Sequence, residues 1–89
     1  MSQPLILALN GNSPKLHPHS WVAPHASVIG DATLGERASL WYSATVRADF
    51  ESIAVGAGSN IQDSATVHAD PGFPVAIGAR VTVAGRGTT

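Results

Sequence analysis

The chain has no cysteine, so disulfides and thiolate chemistry are excluded and the redox compartment stays open. Positive charge is scarce. Five Lys and Arg against six Asp and Glu give a formal net charge of −1, which leaves no basic stripe for nucleic acid or an anionic membrane surface. Long apolar runs are missing too. The segment Pro4 to Leu9 is too short for a membrane span and lacks a basic leader, so it reads as neither anchor nor signal peptide, and the expected location is the cytoplasm. Helical periodicity is absent: no stretch keeps the i, i+3, i+4, i+7 apolar pattern for two turns, and nine glycines and six prolines punctuate the chain. Eighty-nine residues suffice for one domain with a modest core.

What the chain does have is a six-residue beat. Aliphatic residues stand at Val22, Val28, Leu34, Leu40 and Val46, then at Val55, Ile61 and Val67, then at Ile77 and Val83. Two residues before each comes Ser20, Ala26, Ala32, Ala38, Ala44, Ile53, Ser59, Ala65, Val75 or Val81, and half of these are alanine. Positions two apart on a strand share a face, so "small, any, aliphatic" is a short strand with both residues turned inward. Four extended residues span roughly 13 Å, too little for a helical crossover, so each hexad is one flat side of a small coil. The expected fold is all-β, a parallel solenoid of stacked coils. A β-sandwich is the competing reading, but its strands recur irregularly every 8–12 residues or so.

Residues 1–13 are expected to form an N-terminal capping strand, Leu5-Ile6-Leu7-Ala8-Leu9, and the Asn10-Gly11-Asn12 turn that folds it back. Residues 14–89 form the hexapeptide-repeat helix, with no cap at the far end. The beat breaks twice, with nine residues between Val46 and Val55 and ten between Val67 and Ile77. Such insertions become loops on a binding face. They flank Arg47, Asp49, Asn60, Gln62, Asp63, His68 and Asp70.

Val22-Ala23-Pro24, Val28-Ile29-Gly30-Asp31, Leu40-Trp41-Tyr42, Val46-Arg47-Ala48-Asp49, Asn60-Ile61-Gln62-Asp63 and Val67-His68 are similar to successive motifs of the γ-class carbonic anhydrase family, over roughly residues 14 to 83. A hexapeptide beat is shared with acyltransferases. The run R-x-D, then N-I-Q-D, then a histidine five residues on, is much narrower. The resemblance implies a left-handed parallel β-helix with three sides per coil, assembled as a homotrimer. It also implies a metal, zinc or else iron or cobalt, held between subunits by three histidines, with CO2 and bicarbonate as substrate and product. Such a metal would lower the pKa of a bound water so that it attacks CO2. By that resemblance His68 is the first ligand and Gln62 orients the reacting group, with Asn60 a weaker partner. Arg47, Asp49 and Asp63 are structural residues near the subunit boundary. With three sides per coil, Val67 stacks on Val46, His68 on Arg47 and Gln62 on Trp41.

The pattern also departs from the family. The family continues with Gly-His and a further His five residues later; the first of these histidines would fall at position 85, where the chain has Gly85 followed by Arg86, and the second falls one place beyond Thr89. The helix is therefore expected to lack its C-terminal coils and helix, to bind metal weakly and to show little or no hydratase activity. The alternatives are a non-catalytic trimeric scaffold or binding module and a hexapeptide acyltransferase; neither nucleic acid nor membrane is an expected partner. His17, His19 and His25 read as solvated loop residues. Of Trp41 and Tyr42, one is expected at a subunit interface and the other over a coil corner. Gly56-Ala57-Gly58 lacks the third glycine of a dinucleotide loop and reads as a turn.

Overall fold

A computed structural model describes residues 3–85 and contains strands, turns and no helix among them. Ten strands follow in chain order: β1 (Leu5–Leu7), β2 (Lys15–Leu16), β3 (Trp21–Val22), β4 (Ser27–Leu34), β5 (Ser39–Leu40), β6 (Thr45–Val55), β7 (Asn60–Ile61), β8 (Thr66–His68), β9 (Val75–Ile77) and β10 (Thr82–Val83). Every ladder between them is parallel. They make a three-sided β-helix with four rungs on each side. The first face stacks β1, the start of β4, the start of β6 and β8. The second stacks β2, the end of β4, the end of β6 and β9. The third stacks β3, β5, β7 and β10.

The beat sets the register. Val28 pairs with Val46 and Val46 with Val67 on the first face, and Leu40 pairs with Ile61 and Ile61 with Val83 on the third. Val28, Leu34, Leu40, Val46, Ile53 and Ile61 are among the largest side chains buried to within 2 %. The small residues of the hexads have a local cause. Ala26, Ala38, Ala44, Ser59 and Ala65 each donate a backbone N–H three residues back, to Ala23, Gly35, Trp41, Gly56 and Gln62, and so close a β-turn at a corner. The residue before each is in the left-handed region: His25, Arg37, Ser43, Gly58 and Ser64 have φ between 62° and 71°. The turn drives its last residue into the narrow corner of the core, where only a small side chain fits. Ser59 is the polar exception. Its buried hydroxyl donates to the Gly78 carbonyl at 2.5 Å and accepts from the Val81 N–H at 2.9 Å, so burying it strands no polar atom.

Ile6 pairs with Val28, so β1 is the first rung of the first face and runs parallel to the coils. The Asn10-Gly11 pair does form a tight turn, with Leu9 and Asn12 exchanging two backbone hydrogen bonds, but after it the chain continues in the original sense instead of folding back. Leu16 pairs with Leu34, so the beat starts one hexad earlier than Val22.

Candidate active site

Arg47, Asp49 and His68 come together on the outer side of the first face. Alternation along β6 buries Val46 and Ala48 and turns Arg47 outward, and the parallel ladder sets His68 directly against Arg47. Where β4 passes through its corner on Asp31 alone, β6 inserts Asp49 to Ser52, and this excursion brings the Asp49 carboxylate back over the next coil. His68 Nε2 lies 2.9 Å from Asp49 Oδ1, and His68 Nδ1 lies 3.5 Å from Asp70 Oδ1. A carboxylate oxygen accepts, so in the tautomer that carries the proton on Nε2 the ring donates to Asp49, which orients it. Arg47 approaches Asp49 through Nε at 3.5 Å, a single contact within one coil. The cross-coil link is the Asp49–His68 pair. Phe50 stands edge-on to the His68 ring, with centroids 6.4 Å apart, and Glu51 accepts the Gly72 N–H at 2.8 Å, so the two insertion loops brace one another. Asp70 and Glu51 were not assigned a role by motif. The H-x-D spacing of His68 and Asp70 was the available sign, since two residues apart on a strand means one side.

Asn60 and Gln62 lie on the third face, in a separate group. Gln62 Nε2 donates to Asn60 Oδ1, and Asn60 Nδ2 donates to Thr82 Oγ1 at 3.2 Å, a polar ladder climbing one rung. Below it Trp21, Trp41 and Tyr42 meet edge to face, with centroids 4.8 to 6.2 Å apart, and Trp41 Nε1 donates to Ser39 Oγ at 2.9 Å. Gln62 follows Ile61 and Trp41 follows Leu40, which are in register, so the two stack as expected. Asp63 is exposed and makes no ion pair among the described residues. No hydrogen bond or ion pair joins the His68 group to the Gln62 group among those residues.

Comparison with known proteins places this geometry. The chain is 42 % identical over 77 residues to gamma carbonic anhydrase 3, mitochondrial, of Arabidopsis thaliana, covering 80 % of this chain and 30 % of that protein. It is 30 % identical over 79 residues to a carbonic anhydrase of Geobacillus kaustophilus, covering 89 % of this chain and 43 % of that one. The chain belongs to the γ-class carbonic anhydrase family. It spans less than half the length of these curated relatives. Among solved structures, a hexapeptide transferase family protein from Anaplasma phagocytophilum superposes with a TM-score of 0.83 at 37 % identity, covering 89 % of this chain and 46 % of that one. No family model matches the chain.

The γ-class family generally uses a metal. Residues 3–85 do not make a site for one: His68 has carboxylates beside it but no second imidazole, and no group of three or more His, Asp or Glu side chains among the described residues is placed to hold an ion. Gly85, where the family pattern expects the next histidine, is buried, and a Cβ there would run into the Asp63 carbonyl oxygen. Arg86 and Thr89 lie outside the described residues. What the His68 cluster does visibly is hold two coils together. Asp49→Ala removes the partner of both His68 and Arg47 at side chains 22 to 49 % exposed, so it should lower stability by about 1 kcal/mol, and Arg47→Ala by less than about half of that. Urea denaturation at neutral pH measures both; equal losses would mean that Asp49 acts through Arg47 alone.

Proposed function

We propose that this chain carries part of a γ-class carbonic anhydrase site on a β-helix that assembles as a homotrimer, and that the complete form of the site interconverts CO2 and bicarbonate. In this reading His68 is a ligand of the family's metal, with zinc, iron and cobalt as candidates, and Asp49 positions its ring. Gln62, held in place by Asn60, is the hydrogen-bonding group that faces the substrate. Arg47, Asp49 and Asp63 lie towards the subunit boundary. The observation that supports this reading best is the 2.9 Å contact between Asp49 and His68, made by the family's own motif residues where His68 stacks on Arg47.

Because residues 3–85 supply one imidazole to such a site, the 89-residue chain is expected to bind zinc no tighter than about micromolar and to show no CO2 hydration above buffer when zinc is added. Equilibrium dialysis and a stopped-flow hydration assay test this. Zinc retained at one per chain after dialysis, or chelator-sensitive hydration, would overturn the weak-binding expectation.

Acyl transfer is a second reading, supported by the likeness to the hexapeptide transferase family protein. It gives no role to the R-x-D and N-I-Q-D runs, and an acetyl-CoA titration tests it, with no binding expected.

A further inference from the structure

A notch of about 470 Å³, open to solvent, lies where the second and third faces meet, lined by Glu36, Arg37, Ala57, Gly58 and Arg80. It shares no residue with the His68 or Gln62 groups. Three successive coils stack their turns here: the Arg37 N–H donates to the His19 carbonyl, that of Gly58 to Glu36 and that of Arg80 to Ala57, at 2.9 to 3.0 Å. Arg37, Gly58 and Arg80 therefore occupy one column, each in the left-handed region with φ of 62°, 71° and 55°. Rungs are about 4.8 Å apart, so the two arginine backbones stand about 10 Å apart with a glycine between them. The missing side chain of Gly58 leaves room for the Arg80 stem to lie against the turn. A Cβ added there would already sit 3.1 Å from Arg80 Cγ.

Neither guanidinium has an ion pair or a side-chain hydrogen bond among the described residues, whereas that of Arg47 meets Asp49. Two positive forks thus rise from the turns on either side of Gly58, with the Arg80 stem lying over the glycine. The Glu36 carboxylate also lines the notch; it is 54 % exposed and lies 4.0 Å from His19 Nδ1. An arginine side chain reaches about 6 to 7 Å, so both forks can close on one group at the level of Gly58. A carboxylate, with one charge and two oxygens, is satisfied by a single fork. A phosphate monoester carries nearly two charges and three terminal oxygens, which match the donors of two. The backbone amides of the column are already spent between coils, so side chains alone would hold the ligand.

The geometry points to an anion site at this corner that takes the phosphate group of a phosphorylated small molecule. The test is titration of the 89-residue chain with inorganic phosphate and, separately, phenyl phosphate at low salt, read from amide shifts of Gly58 and Arg80. Saturable shifts are expected, with dissociation constants on the order of 0.1 to 1 mM. Arg37→Gln and Arg80→Gln should each weaken binding about tenfold while keeping a dispersed amide spectrum, and Lys15→Gln, on the second face, should leave it unchanged. Equal affinities for the two probes support recognition of the phosphate group alone, and tighter binding of phenyl phosphate supports a ligand whose organic part also fills the notch. Shifts that never saturate, wild-type affinity in the Arg37→Gln/Arg80→Gln double variant, or an equal loss in Lys15→Gln overturns the site.

Discussion

Leu40→Ala is expected to lower the unfolding free energy by about 3 kcal/mol, out of a total on the order of 5 to 10 kcal/mol for a domain of this size. Leu40 is fully buried and is the middle link of the Val22–Leu40–Ile61 column on the third face. In a solenoid each coil contacts only its neighbours, so a void at a middle rung weakens two coil-to-coil contacts at once. Val83→Ala, half-buried on the last described rung of the same face, touches one coil among the described residues and should cost about 1 kcal/mol. Urea denaturation of the two variants gives the comparison, and equal losses would mean the coils do not couple through this column.

Gly30→Ala should cost as much or more, through the backbone. Gly30 is buried on β4 with φ of 81°, beside Ala48 of β6, and an added Cβ would run into the Ala48 carbonyl oxygen. The left-handed backbone alone costs an alanine about 1 kcal/mol, and the collision forces β4 and β6 apart where the first face turns into the second. A total loss of about 3 kcal/mol is expected. Gly11→Ala separates the two causes. Gly11 has nearly the same φ, 80°, and nothing within 4 Å of an added Cβ, so its loss should stay near 1 kcal/mol. Thermal denaturation of both decides the matter: if Gly11→Ala and Gly30→Ala lose equally, the contact with Ala48 is not what requires glycine.

The core and its register were readable because the chemistry repeats. Leu34, Leu40 and Val46 are alike and spaced by six, and the alanines at 26, 38, 44 and 65 recur because one turn geometry recurs. Placing His68 over Arg47 needed only the beat and three sides per coil. The place of Asp49 was harder to read, because it stands in the excursion of β6, where no period applies and the loop is shaped by the neighbouring loop it braces. That Leu5-Ile6-Leu7 is itself a parallel rung was hidden by the ten-residue spacing from Ile6 to Leu16. The notch beside Gly58 was hidden for another reason. Arg37 and Arg80 are 43 positions apart in number and meet only because turns stack, while the glycine between them contributes by what it leaves out.

Every departure from six falls on one edge. From the first face to the second the spacings are ten (Ile6 to Leu16), six (Val28 to Leu34), nine (Val46 to Val55) and ten (Val67 to Ile77), whereas the other two edges keep six throughout the described coils. Along that one edge the chain can lengthen or shorten freely, since the extra residues bulge outward and the next strand picks up its old place. Along the other two, a single added residue would turn the strand beyond it inside out, exposing its aliphatic side chain and burying its polar one.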